Sequence, residues 1–446
     1  MTVQLRAKAA PLTTVTTVDL DGRTVIQATM QPTEELTTLS TADALALADA
    51  VATARHQRLP FVGVLSLSGV EVSEGLDVAA AWGRVAHELV QASGVVPLLL
   101  VAHGPMVSGP ALLLALADVV VFTREAYAFV TGPAMVEAYT GEPVNNVDLG
   151  GSGAHARSTG LASMVVTDVD SGLEAIAVIL GHLPDNVDAP PPMLPTDDPR
   201  DRPTPEAGEL LPANPTGAYD VRHVVQAVAD DGEFLELRGS WAPNLVTGFA
   251  FIGGHSVGVV ANQTQALAGS IDIPASQKGA RFVAMCDAFN IPLLTLVDTS
   301  GFLPGKDLEW RGMIRHGAQL AFAYARATVP RIGLILRKSY GGAYIVMDSR
   351  YMGNDVMLAW PSAEVAVMGA KGAVEILHRK ASPEEREALE GEYERQFLTP
   401  YVAAERASIT AVISPDQTRS EIVAALDLLA TKRERLRARR HDNTPL

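Results

Sequence analysis

The chain of 446 residues holds one cysteine, Cys286. A lone thiol excludes an intramolecular disulfide and any zinc or iron–sulfur centre built from several cysteines, so no metal site is expected and a reducing compartment fits. Cations are also scarce. There are 35 Lys and Arg against 51 Asp and Glu, a formal net charge of −16, whereas a nucleic-acid interface carries a basic stripe. The one dense basic run, "KRERLRARR" (432–440), reads as a solvated helix end. Long apolar runs are missing too: stretches such as "ALLLALADVVVF" stop short of the roughly 18 residues a membrane span needs. The opening "MTVQLRAKAAPLTTVTTVDL" has no uninterrupted apolar segment of the signal-peptide kind and reads as mature sequence. Together these deficits describe a soluble cytoplasmic protein that binds neither nucleic acid nor membrane.

What the chain does have is apolar content, 48% of its residues. That is enough to bury a sizeable core in two or three domains. Short strand-like apolar runs alternate with Ala-rich helical patterns such as "TADALALADAVATARHQ" and "QKGARFVAMCDAFN". The alternation predicts an α/β architecture with mainly parallel strands. A stretch dense in Pro, Asp and Glu, "LPDNVDAPPPMLPTDDPRDRPTPEAGELLPANPTG", interrupts the pattern and reads as a linker. The expected division is therefore a first domain over 1–183, a Pro-rich linker over 184–217 and a second domain over 218–446.

The two halves repeat one spacing. In "LPFVGVLSLSG" Gly69 lies nine residues after Pro60, and in "IPLLTLVDTSG" Gly301 lies nine after Pro292. In "VVPLLLVAHGPMVSG" Gly109 lies twelve after Pro97, and in "TVPRIGLILRKSYGG" Gly342 lies twelve after Pro330. Gly69 and Gly109 are 40 positions apart, Gly301 and Gly342 are 41. We read this as a duplicated domain.

Each half thus offers a glycine at a strand end and another at a strand-to-helix turn. Glycine permits positive φ and close backbone approach, and a helix start leaves amide N–H groups unpaired. Two such turns facing each other would hold negative charge growing on a thioester or ureido oxygen. An isolated Gly-Gly would be an ordinary turn; the repeated spacing argues for more. Phosphate cradling finds less support, since no GxxxxGK[ST] occurs and "GSGAHARSTG" (151–160) lacks the GxGxxG spacing. "GHSVG" (254–258) matches the nucleophile elbow, but the β-branched "VGVV" after it predicts a hairpin turn instead. Cys286 sits among apolar neighbours and reads as an inert buried thiol. His316 could serve the site or a helix surface, and His155 reads equally well as a structural hydrogen bonder.

The segment from "SQKGARFVAMCDAFN" to "SYGGAYIVM", with "DVMLAWPSAEVAVMGAKGAVEIL", closely resembles the carboxyltransferase (β) subunits of biotin-dependent acyl-CoA carboxylases of the propionyl-/acetyl-CoA type. The first half is similar more loosely, through "FVTGPAMVEAYTGEPVNNVDLGG". The resemblance runs from about residue 55 onward. It implies two tandem crotonase-like domains, a duplicated ββα superhelix, and a homohexamer built as a trimer of dimers. It implies that CO2 passes from carboxybiotin to the α-carbon of a short or unusual acyl-CoA. The thioester enolate would be held by the amides of one half and the biotin ureido oxygen by those of the other, the donors lying around Gly69, Val70, Ser108 and Gly109 and around Gly301, Phe302, Gly342 and Ala343. By the same resemblance His316, Tyr344 and Ile345 would contact substrate, Ile345 at a position tied to acyl-chain choice. No Ala-Met-Lys-Met tetrapeptide occurs. Biotin is therefore expected on a partner, a biotin carboxylase or biotin carboxyl carrier subunit, with the coenzyme A thioester as substrate.

The chain departs from the family pattern in places. "GPMVSGPA" (104–111) puts Ser108 for a glycine and Pro110 for an alanine, and proline has no N–H. Glu71 stands for a usual Arg, Gln319 for Lys and Lys371 for Glu. Two alternatives therefore stand beside the carboxylase: a biotin-dependent carboxyacyl-CoA decarboxylase subunit, which needs the same amides, and a non-catalytic paralogue acting in assembly.

Overall fold

The computed structural model describes residues 12–30, 37–432, 434, 436–438 and 441–445. The chain forms two compact units, Met1–Pro190 and Pro191–Leu446.

In the first unit, β1 (Thr13–Leu20) and β2 (Arg23–Met30) form an antiparallel hairpin. From β2 the sheet continues in parallel through β3 (Phe61–Leu67), β4 (Leu98–Val107), β5 (Val119–Thr123) and β7 (Met164–Val166), and β6 (Tyr127–Phe129) pairs with the far end of β4. Every residue of β3 is buried, as expected of a parallel strand covered on both faces. The helices Thr41–Gln57 and Leu76–Ala92 follow β2 and β3 and pack on one another. Ser40 starts the first of them by accepting from the Asp43 N–H, and Arg58 ends it in the left-handed conformation.

The second unit repeats this order. β9 (Leu245–Ile252) and β10 (His255–Asn262) form the hairpin, preceded by the short β8 (Leu235–Leu237) on its outer edge. β11 (Leu293–Thr299), β12 (Arg331–Tyr340), β13 (Val356–Ala359) and β15 (Ala411–Val412) extend it in parallel, with β14 (Glu364–Ala366) on the far end of β12. The registers coincide. Ile26 faces Phe61 as Gly258 faces Leu293, and Phe61 faces Leu98 as Leu293 faces Arg331. Both central pairs also slip at the same point, between Leu65 and Leu67 and between Val297 and Thr299. The duplication read from glycine spacing is a duplication of strand order, register and irregularity.

Other features follow from local chemistry. Gly253 and Gly254 both have positive φ, 59° and 85°, and join β9 to β10 as a two-residue hairpin, so the G-x-S-x-G match is a turn. A Cβ on Gly258 would come within 2.5 Å of Cys286 Sγ; the thiol fills a slot in the core, and burial pushes its pKa up. The Pro-rich stretch divides between the units. Val187 N–H bonds to Val95 O, whereas Leu194 N–H bonds to Gly254 O. It is also tied down: Arg200 donates to Gly253 O and Asp427, Arg202 pairs with Asp198, and the fully buried Arg419 reaches Pro199 O and Asp230. Of the basic C-terminal run, Arg433, Arg435, Arg439 and Arg440 lie outside the described residues, and Lys432 pairs with Asp355 at 2.8 Å. Among the described residues no helix is long and apolar enough to cross a membrane.

Candidate active site

In the second unit β11 ends at Thr299, and Gly301 follows with φ 146°, a conformation open to glycine. Phe302 then lies opposite Ile271 in a parallel bridge: Ile271 N–H donates to Gly301 O at 3.0 Å, and Leu303 N–H donates to Ile271 O at 2.9 Å. In this ladder Ile271 uses the groups flanking Phe302, so the N–H of Phe302 itself points to the other side. The neighbouring β12 runs into the helix Gly341–Val346, whose first amides, including Gly342 and Ala343, have no intrahelical acceptor. The Phe302 ring packs on Gly342, where an added Cβ would sit 3.4 Å from the ring, and on Gly317 of the helix Met313–Arg326, where it would sit 3.2 Å away. Two glycines thus let the strand end, the turn and the supporting helix meet.

The first unit copies this arrangement. Leu39 N–H donates to Gly69 O at 2.9 Å and Glu71 N–H to Leu39 O at 2.9 Å, so Val70 presents its N–H away from Leu39 as Phe302 does from Ile271. Gly69 has φ 135°. The turn after β4 differs in chemistry. Ser108 matches Gly341 in register and shares its positive φ, 68° against 59°. With ψ −158° it lies in a region almost confined to glycine, at a cost of about 1–3 kcal/mol. Gly109 packs on Trp82, whose ring would lie 3.2 Å from an added Cβ. Pro110 occupies the place of Ala343 at the start of the helix Gly109–Leu116 and contributes no N–H. The first turn therefore offers Gly109 as its amide.

A buried charge network braces the second turn pair. Asp298 Oδ2 accepts from Arg337 Nε at 3.0 Å and from Tyr219 Oη at 2.9 Å, and Oδ1 accepts from Lys338 N–H at 3.1 Å. Arg337 also donates to Gly217 O. Burial raises the Tyr219 phenol well above its usual value, and the Asp298 charge adds to the effect. Tyr340, the last residue of β12, donates to Glu364 of β14; burial, and then this carboxylate, raise its phenol as well. The network fixes β11 against β12 at the point where both deliver their turns.

Beside Gly341 and Gly342 opens a cavity of about 510 Å³, lined further by Tyr344, Ile345, Val367, Phe397 and Arg406. The structure thus brings Gly301, Phe302, Gly342 and Ala343 to one place and puts Tyr344 and Ile345 on its wall. Burial raises the Tyr344 phenol. His316 is not on that wall: it stands beside Gly317 with Nδ1 3.2 Å from both Gln277 Nε2 and Gln319 Oε1. His155 Nε2 lies 2.8 Å from Ala128 O and Nδ1 2.8 Å from Thr159 Oγ1, a bond that secures β6. Glu71 has a local task, accepting from Ser73 and from Thr38, and these bonds hold its carboxyl below the usual range, those from Ser73 most of all. Sequence reasoning missed Asp298, Arg337 and Arg406. The first two carried a signal, charges set in the apolar runs "LLTLVDT" and "RIGLILRKSY"; Arg406 carried none.

Two tandem parallel-rich units, each setting a strand-end glycine against a strand-to-helix turn, define a protein of the crotonase-like class. Residues 18–444 match the family model described as the carboxyl transferase domain, and the chain belongs to that family. It is 40% identical over 428 residues to the methylmalonyl-CoA decarboxylase subunit alpha of Veillonella parvula, covering 96% of this chain and 84% of the relative. It is 43% identical over 406 residues to the propionyl-CoA carboxylase beta chain of Saccharopolyspora erythraea, covering 87% and 74%. Among solved structures, the hexameric transcarboxylase 12S with hydrolysed methylmalonyl-CoA bound superposes with a TM-score of 0.94 at 38% identity, covering 97% of this chain and 84% of that one.

Proposed function

We propose that the chain is a carboxyltransferase subunit that exchanges CO2 between a biotin carried on a partner protein and the α-carbon of a short acyl-CoA. One observation carries this reading: in each unit a strand-end amide, Val70 or Phe302, is turned away from its ladder beside a strand-to-helix turn that presents Gly109 or Gly342. Amides fixed in advance stabilise charge on an oxygen without reorganising as it develops. Held in one such pair, the thioester oxygen can carry enolate charge, which makes the α-carbon a nucleophile towards CO2. The other pair serves the ureido oxygen. When bound, the biotin ring supplies or receives CO2, and its ureido nitrogen exchanges a proton for the carboxyl group, so no side-chain base is required. The residues present fit such a ring: backbone at Gly341 and Gly342 forms the cavity wall, and a Cβ on Gly341 would meet Val367 O at 3.0 Å.

Ile345 on the cavity wall would set acyl-chain choice, and Tyr344 would bound the same space. The partner would be a biotin carboxylase or biotin carboxyl carrier subunit, the assembly a hexamer as in transcarboxylase 12S, and the compartment the cytoplasm, where Cys286 stays reduced. Carboxyl transfer in the decarboxylating direction, from a carboxyacyl-CoA to biotin, uses the same amides, and the Veillonella relative, matched over 96% of this chain, is the observation that keeps that direction in view. Titration calorimetry with propionyl-CoA and methylmalonyl-CoA tests the reading against a non-catalytic paralogue. We expect both thioesters to bind, and an absence of heat with either would contradict the proposal.

A further inference from the structure

The cavity beside Gly342 is walled by backbone and by apolar or hydroxyl side chains, with one ionisable exception of fixed charge. Among its described lining residues Arg406 is the one cation, and none is Asp or Glu. Its backbone N–H bonds to Val402 O at 3.2 Å, but among the described residues its guanidinium enters no ion pair or side-chain hydrogen bond, and the residue is exposed. It contrasts with Arg331, Arg337 and Arg419, each paired with a buried carboxylate. A guanidinium is permanently charged and offers a planar fork of donors that matches a carboxylate in two parallel bonds. Facing a mostly apolar cavity, that fork selects an uncharged body bearing one carboxylate.

We infer that Arg406 recognises the carboxylate that is transferred. This deepens the proposed carboxyltransferase function and rests on it. The carboxylate has two sources, the α-carboxyl of a carboxyacyl-CoA and the N-carboxyl of carboxybiotin, and the cavity chemistry is common to both. Arg406 forms no covalent bond. It holds the carboxylate by charge-assisted hydrogen bonds beside the Gly342 amide, so the carboxylated and uncarboxylated forms of the ligand differ in affinity.

The test compares wild type, Arg406→Gln and Arg406→Lys as full-length proteins of matched thermal stability and oligomeric state. Affinities for methylmalonyl-CoA and propionyl-CoA are read by calorimetry, and biotin-dependent decarboxylation of methylmalonyl-CoA by mass spectrometry. If the carboxyacyl group is the source, Arg406→Gln weakens methylmalonyl-CoA about 10- to 100-fold and leaves propionyl-CoA within twofold. If carboxybiotin is the source, both affinities hold and kcat with free biotin falls by a similar factor. In either case Arg406→Lys, which keeps the charge, retains part of the lost function. Equal weakening of both thioesters, or no change in affinity and kcat, overturns the role of Arg406 while the carboxyltransferase reading stands. A wild-type protein that neither binds nor turns over these thioesters overturns both.

Discussion

Ser108 shows how a single residue can depart from its repeat. Its φ of 68° with ψ −158° is glycine territory, and the matching residue of the second unit is Gly341. Ser108→Gly removes the steric penalty but adds backbone freedom to the unfolded chain. We expect a net gain of about 1–2 kcal/mol, read from the midpoint of urea unfolding. His182 makes a different residue-scale point. Burial pushes its pKa down to about 4, while in an unfolded chain it titrates near 6.5. Between those values the unfolded chain binds more protons than the native one. Stability is therefore complete above about pH 6.5 and declines as pH falls towards 4, by about 3 kcal/mol in all. In His182→Gln that part of the acid sensitivity should vanish, and an unchanged pH–stability curve would refute the assignment. Asp298→Asn tests the buried brace. With Arg337 left uncompensated, we expect a loss of about 3–5 kcal/mol in chemical denaturation.

At the scale of elements, the site depends on the meeting of a strand end, a turn and a helix. Gly317 lies inside the helix Met313–Arg326, where alanine would ordinarily favour the helix by about 1 kcal/mol. Its added methyl would instead reach the Phe302 ring at 3.2 Å. Gly317→Ala should therefore leave thermal stability near wild type while shifting Phe302, lowering kcat by about 10-fold or more; a variant with full kcat would show that the ring does not position the amide. Much at this scale was legible beforehand. Pro60, Gly69, Pro97 and Gly109, against Pro292, Gly301, Pro330 and Gly342, marked the ends of β3, β4, β11 and β12, because a strand that must stop and turn at a fixed place leaves glycine and proline there. The shared slip between Leu65 and Leu67 and between Val297 and Thr299 left no such mark, since a register change alters pairing without requiring a residue type. The Pro-rich stretch shows another limit. Its composition reads as a linker but does not tell that Arg200, Arg202 and Arg419 anchor it through bonds between residues distant in sequence.

For the whole molecule, the duplication explains why a catalytic chain carries so little conspicuous chemistry. In the proposed function each unit contributes backbone amides on a rigid frame, and the reactive group would arrive on a partner. Fold and family were therefore open to reading from spacing and resemblance, whereas the acidic balance of −16 said little beyond arguing against a nucleic-acid interface. Arg406 was invisible in sequence, since only folding brings the Pro400–Glu405 helix end to the cavity beside Gly342. The most direct measurement is the reverse half-reaction of the purified chain alone. Methylmalonyl-CoA and malonyl-CoA are supplied with and without free biotin, and the decarboxylated thioester is followed by mass spectrometry. Turnover that requires biotin is the result this account predicts. Folded, oligomeric protein that yields no product with biotin, or the same product without it, would contradict the account.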